Sequence, residues 1–354
     1  MFFSKRKKKQ DTTVPKEKQS APVKPAAAPQ VSAPTPAPVF QYVVTPPEPE
    51  IPPLQGDYAK TIFLWVTSKA PVVDRSFSYP GYLLYECGIR NTAQYLESLF
   101  AEGFYREAVS AERLSALKVT ELKPLLAELG LPVSGKKDAL IQRILDHSDD
   151  SFVLNYCPNP IYSLSAKGRA FLDEHDDYVK LHRHKSNWGV SWQEYDARKR
   201  PGYSFYDVMW GIFNERVIEE QFNFGRNAYY NMYQLLVEEG RQSQAIEMLL
   251  RLFYIDWSGA ECLESREFLS KKELKDDFES NVLLAPGIAQ DIASYKDVYS
   301  DEMIDRIYEW KLPLQICSKR LFTSIVHSAL DGTFDEAAVR QKLKRAYNKA
   351  IDAL

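Results

Sequence analysis

Between residues 113 and 146 two short apolar stripes of helical period are separated by Gly-Leu-Pro-Val-Ser-Gly-Lys-Lys, and few folds can close a core from so little. Thr120 stands where a helix cap belongs. After it Leu122, Leu125, Leu126 and Leu129 recur at i, i+3, i+4 and i+7, with Pro124 close enough to the start to be tolerated. Gly130 ends this helix, 131–133 form an extended link, and Ser134 is the expected cap of a second helix whose apolar side is Leu140, Ile141, Ile144 and Leu145. The spacing predicts a helix–extended–helix unit.

The link has chemistry of its own. Ser134, Gly135 and the backbone amides that open the second helix are donors beside the positive end of its dipole, and Lys136 and Lys137 add charge there. Lys118, Lys123 and Arg143 flank the same face, so the segment holds 6 Lys/Arg against 4 Asp/Glu. The pattern resembles the SAP domain, a small helix–extended–helix module. The resemblance rests on Leu117 and Val119, Glu121-Leu122-Lys123, Gly130-Leu131, Ser134-Gly135-Lys136-Lys137, and Leu140-Ile141 followed by Arg143-Ile144. It covers about a tenth of the 354 residues, and the remaining sequence resembles SAP-containing proteins of bacteria and their phages.

The resemblance implies duplex DNA as a partner, often A/T-rich, read through backbone and groove shape, with Lys118, Lys123, Ser134, Gly135, Lys136, Lys137 and Arg143 as the contact set. Some members of the family bind proteins instead. A net charge of +2 implies weak DNA binding by one copy, so further contacts are needed. The same residues nearly spell a phosphate-binding loop, Gly130 to Gly135-Lys136, but Lys137 stands where the Mg²⁺-ligating hydroxyl belongs and a helix precedes the loop where a strand is required.

Charge is unevenly distributed. Residues 1–56 carry 8 Lys/Arg, 4 Asp/Glu and 12 of the 21 prolines, and their +4 leaves −7 for the rest of a chain with formal charge −3. A basic coat over the whole surface is excluded, so nucleic-acid contact must come from a local patch. The Pro/Ala/Lys-rich composition of 1–56 predicts a disordered, separable tail, whose basic start at Lys5 to Lys9 is either a solubilising run or a contact for polyphosphate or acidic lipid. No apolar run approaches a membrane span and no apolar core follows the N-terminal charges, so the expected location is cytoplasmic. Cys87, Cys157, Cys262 and Cys317 lie 70, 105 and 55 residues apart, a spacing that fits neither a zinc clamp nor a disulfide scaffold.

With 15 glycines and long stretches of helical period, the folded part is expected to be mainly α. Residues 61–66, Thr-Ile-Phe-Leu-Trp-Val, have strand composition and are expected as a strand or staple. Ala93, Leu96, Leu99 and Phe100 predict a helix ending at Gly103, followed by a strand at 104–108; Ile161 to Leu164 predict a second strand, Ser165 a cap, and Gly168 to Leu172 the next helix. This order resembles the wing and last helix of winged-helix domains, with the SAP-like module inserted in the wing and Phe104-Tyr105 antiparallel to Tyr162-Ser163. The alternative is an ordinary helix followed by an ordinary hairpin. The expected division is a winged-helix-like domain over 57–185, containing the module, and a helical domain over 186–354.

Elsewhere Asp173-Glu174-His175-Asp176-Asp177 with His182 and His184 offers carboxylates and imidazoles, but without a ligand spacing, so no metal or cofactor is assigned. The stretches 182–188 and Arg198-Lys199-Arg200 are either further phosphate contacts or solubilising charge. A helical hairpin is predicted from Ala228, Met232, Leu235 and Leu236 to Ala245, Ile246, Leu249 and Phe253 around Gly240, with a helix stop at 256–259 where Asp256 and Ser258 lack a histidine partner. Helices follow at 270–279, 301–309 and 318–330. The last, 335–354, places Val339, Leu343, Ala346 and Ala350 on one side and Arg340, Lys342, Lys344, Arg345 and Lys349 mostly elsewhere, which either complements the helix dipole or offers a partner surface. Without a nucleophile–base pair, metal set or competent nucleotide loop, the expectation is a non-catalytic protein that holds DNA and uses its C-terminal half as a scaffold, or else a pure protein-interaction scaffold.

Overall fold

The computed structural model describes residues 50–69, 73, 74, 77–219, 222–285 and 287–354. The expected tail lies outside these residues as far as position 49. Its last residues, expected to be separable, are instead packed: Gln55 N donates to Cys87 O at 3.1 Å, and a Cβ on Gly88 would collide with the Pro53 carbonyl. Proline there fits because an extended docked segment without amide donors is compatible with close backbone packing.

The protein is mainly α. Residues 61–66 are not a strand but the middle of α1, Gly56–Ser68, in which Ile62, Phe63, Leu64 and Val66 are buried on several sides. Burial all round overrides β-branched propensity, and Thr61 and Thr67 satisfy their hydroxyls on the carbonyls of Asp57 and Phe63 at 2.8 and 2.9 Å. After α2, Tyr82–Tyr85, comes α3, Thr92–Ala101, capped by Asn91 and ended at Gly103.

Strand β1, Tyr105–Glu107, pairs antiparallel with β2, Tyr162–Leu164, and everything between them is an insertion. The register sets Tyr105 opposite Leu164 and Glu107 opposite Tyr162, two residues from the expected pairing; a shift of two keeps each side chain on the expected face. Val73 adds a bridge to Tyr162. Ser165 accepts from Gly168 N at 3.0 Å and opens α8, Ala166–Glu174, while Gly168 lies so close to β1 that a Cβ would strike Phe104 O. Helix, strand, insertion, strand and helix thus follow the order expected of an interrupted wing.

The insertion contains α4, Ser110–Ala116, α5, Val119–Glu128, α6, Lys137–Leu145, and α7, Asp150–Tyr156. Beyond α8 come α9, Asp176–Trp188, α10, Trp192–Arg198, and α11, Phe205–Glu219. One apolar cluster built on α1 crosses the expected boundary at 185/186, through Trp188, Tyr195, Phe205 and Phe213 to Leu235.

A second cluster runs from Leu236 to Ile351, and Trp210, Tyr229 and Met248 pack against both. Its first elements are the predicted hairpin, α12, Arg226–Glu238, and α13, Gln242–Asp256, with all eight expected apolar residues buried and Gly240 at φ +76° in the turn. Then follow α14, Cys262–Ser265, α15, Lys271–Asp276, α16, Phe278–Asn281, α17, Ile288–Ala293, α18, Asp301–Glu309, α19, Lys319–Leu330, and α20, Glu336–Ala353. The acidic helix expected at 270–279 is broken at Asp277, which lets Phe278 bury fully against Tyr347. On α20 the buried stripe is Val339, Leu343, Tyr347 and Ile351, because Tyr347 reaches Leu274 O at 2.9 Å and draws that face inward in place of Ala346 and Ala350. Among the described residues no helix is long and apolar enough to cross a membrane, and the four cysteines are unpaired.

Candidate nucleic-acid interface

The inserted segment is closed by Leu114, Leu122, Leu125, Leu126, Leu140, Ile144 and Val153, all buried. The sequence pattern predicts two helices alone, but α4 and α7 supply Leu114 and Val153 and complete the core. A signal for α7 is present in Asp149, whose carboxylate accepts from Phe152 N at 2.9 Å as an N-cap.

Its two ends are tied to the wing by one buried guanidinium. Arg113, 3% exposed, donates from Nε to Ala108 O at 2.9 Å and from Nη1 to Cys157 O and Asn159 O at 2.9 and 3.1 Å. Arg106 holds Glu112 bidentately at 2.7 Å, and this guanidinium keeps the Glu112 carboxyl below the usual carboxylate range despite its partial burial. Ser110 adds a hydrogen bond to Asp150 across the base. Sequence spacing does not single out Arg113, because two of its partners are backbone carbonyls more than forty positions away.

Both expected caps are corrected. Helix α5 begins at Val119, and Glu121 Oε2 accepts from Lys118 N at 2.6 Å, so Thr120 lies inside the first turn. Helix α6 begins at Lys137 behind Lys136, leaving exposed Ser134 in the link, because Gly135 at φ +141° is far from the helical conformation that the residue after a cap must adopt. No side chain caps α6. Its first-turn amides are therefore left without a side-chain cap, next in sequence to exposed Lys136.

The seven expected contact residues divide into two groups. Lys118, Lys123 and Lys136 are exposed and, among the described residues, have no carboxylate partner. Ser134 and Gly135 are exposed beside them. Lys137 and Arg143 are half-buried and occupied: Lys137 Nζ donates to Ser115 O at 2.6 Å at the end of α4, and Arg143 Nη1 donates to Pro132 O and, at 3.2 Å, to Ser134 O. The Lys137 bond brings the start of α6 beside the end of α4, only three residues before Lys118, so the two lysine-bearing helix starts share one edge.

In the other basic stretches most cations are engaged within the protein, Arg183 being exposed and without a partner among the described residues. Arg198 pairs with Glu215 at 2.8 Å and Lys199 with Asp177 at 2.6 Å, while Arg200 donates to the carbonyls of Ala197 and Lys199. His182 and Lys185 meet Glu86 at 3.1 and 3.3 Å, and His184 meets Glu238 at 2.9 Å while stacking on Trp188. His175 bonds to Phe171 O, and Asp177 also accepts from Tyr195. Among the described residues no group of three or more His, Cys, Asp or Glu is placed to hold a metal. Asp256 is held bidentately by Arg226 at 2.5 and 2.9 Å, with burial pushing its carboxyl up to about 6, and the Ser258 hydroxyl donates to Ile255 O.

Residues 113–148 match the family model of the SAP domain. This segment is an SAP domain. SAP domains are in general DNA-binding modules, and here the domain is inserted between two paired strands of a larger helical body. No curated protein and no solved structure matches the chain.

Proposed function

We propose that this is a non-catalytic cytoplasmic protein that holds duplex DNA, with a leaning to A/T-rich tracts, through its SAP domain, and that its C-terminal helical part is a scaffold for a protein partner. The observation that carries the DNA reading is the sorting of cations. In the basic runs at 182–188 and 198–200 every cation except Arg183 is met by Glu86, Glu238, Asp177, Glu215 or backbone carbonyls, whereas all three of Lys118, Lys123 and Lys136, gathered on one edge of the SAP domain, are exposed and without a side-chain partner among the described residues. Cations without internal partners, beside uncapped helix amides, are free to replace the counterions of a phosphate backbone.

The DNA-facing set is narrower than the sequence suggests. Lys136, Lys118 and Lys123 contribute charge; Ser134 and Gly135 contribute the approach to the α6 amides; Lys137 and Arg143 hold the link that presents them. The test is duplex binding by the full chain across a range of salt. Changing Lys118, Lys123 and Lys136 together to Glu should abolish most affinity with the fold intact, and each phosphate-neutralising lysine removed should flatten the plot of log affinity against log salt by about 0.9. An unchanged slope in the triple variant moves the binding surface off this edge. Failure of the wild type to bind at low salt leaves the protein-interaction scaffold as the function.

A further inference from the structure

We propose that the outward face of α20 is a second phosphate-binding surface, on which the duplex held by the SAP domain is gripped at another point; the inference rests on the DNA reading above. Lys342, Arg345 and Lys349 are all exposed and recur at i, i+3 and i+7. At 100° per residue they share one stripe, opposite the buried Val339, Leu343, Tyr347 and Ile351. None of the three has an ion-pair or hydrogen-bond partner among the described residues. Arg340, on the other side of the helix, is by contrast engaged by Glu279 and Glu336, and Asp352 is engaged by Lys275.

Local structure does not account for the stripe. Favourable interaction of cations with the helix dipole is confined to the last turn, and the last turn of α20 contains no basic residue. Nor do the cations support the helix as i,i+4 pairs with carboxylates. Lys342 and Arg345 are like charges three apart, and Arg345 and Lys349 are like charges four apart, so each pair works against the helix. Three self-repelling cations are kept on a body whose charge from residue 57 onward is −7. An external polyanion relieves that repulsion.

The stripe suits a phosphate backbone better than an acidic protein patch because it is linear. From Lys342 to Lys349 the helix rises roughly 10.5 Å at 1.5 Å per residue. One strand of a duplex presents a phosphate about every 3.4 Å of axis, so the stripe faces about three of them. Its three members are all cations, which here contact phosphates and not base edges, and binding there is independent of sequence. A second grip also answers the small charge of the SAP domain, since two linked weak sites bind far more tightly than either alone.

The test uses the full chain and a labelled duplex, with Lys342→Gln, Arg345→Gln and Lys349→Gln combined, and Lys136→Glu as a separate variant. Glutamine is a good helix former, so the triple variant should melt no lower than wild type, whereas structural cations would lower its Tm. The expected result is a salt plot shallower by about 2.7 for the triple variant and, independently, by about 0.9 for Lys136→Glu. If Lys136→Glu weakens binding while the triple variant keeps the wild-type affinity and slope, the α20 surface is refuted and the SAP reading stands. If the triple variant weakens binding and the SAP-edge variants do not, α20 is supported and the SAP reading falls. A wild type that binds no duplex at low salt refutes both and assigns the stripe to an acidic protein partner.

Discussion

Arg113 decides whether the SAP domain is a rigid fixture or a loosely tethered bead, and Arg113→Met tests this directly. The side chain is 3% exposed and its guanidinium serves three carbonyls, those of Ala108, Cys157 and Asn159, at 2.9, 2.9 and 3.1 Å. Ala108 lies on the entry to the insertion and the other two on its exit, so one side chain closes the base of the whole excursion. Hydrogen bonds from a charged donor contribute about 1.5–3 kcal/mol each, reduced here because Pro158 and Asn159 are exposed and water can reach part of the site. Methionine preserves the apolar stem and leaves the carbonyls bare, for an expected loss of about 3 kcal/mol by urea denaturation. The domain's own core does not include Arg113, so Leu114, Leu122, Leu126, Leu140 and Ile144 should keep it folded. The loss should therefore appear in native-state hydrogen exchange as weakened protection of β1 and β2, with SAP amides less affected. Arg113→Lys, which can keep only part of the fan of bonds, should recover about half. A change below about 0.5 kcal/mol in Arg113→Met, or equal loss of protection throughout the insertion, would refute the reasoning.

Two further outcomes follow from the same geometry. Lys137→Met should cost about 1 kcal/mol of stability by removing the bond to Ser115 O, yet leave the salt slope of duplex binding unchanged, in contrast to Lys136→Glu. Glu86 sits where burial alone would raise its carboxyl, but hydrogen bonds from His182 and Tyr58 and the charges of His182 and Lys185 outweigh that and hold it at about 2. A folded value below the unfolded one means that the stabilisation is complete above about pH 4.5 and is lost as pH falls through about 2. Glu86→Gln should thus be less stable than wild type by about 2–3 kcal/mol near pH 5, where the imidazole beside it is charged, with the gap closing in acid; a gap that is constant from about pH 5 to 2 would contradict it.

Local periodicity is most informative where an element's neighbours lie close in sequence. The SAP stripe Leu122, Leu125, Leu126, Leu140 and Ile144, the hairpin about Gly240, and the helices at 301–309 and 318–330 are legible because burial repeats at 3.6 residues and Gly, Asp or Ser marks the ends. The antiparallel pairing of the segments at 105–107 and 162–164 is legible too, although its register is not, since a two-residue shift preserves the same faces. Residues 61–66 mislead because strand composition reports a buried environment as much as a strand, and a helix buried on several sides provides that environment equally well.

Which residues are apolar, where the helices of clear period such as α5, α6, α12, α13, α18 and α19 start and stop to within a turn, and the presence of a compact SAP module all follow from the order of residues alone. Tertiary structure decides which charges are spent inside the molecule. Lys136 and Lys137 are neighbours of identical chemistry, yet one is exposed and the other caps α4 through Ser115 O. Arg198 and Lys199 form a basic run in the sequence, yet each faces a carboxylate some twenty residues away. Charge acts through space and is cancelled by whatever the fold brings within a few ångströms, so composition counts cations while only the folded structure separates those that hold the protein from those left to hold a partner.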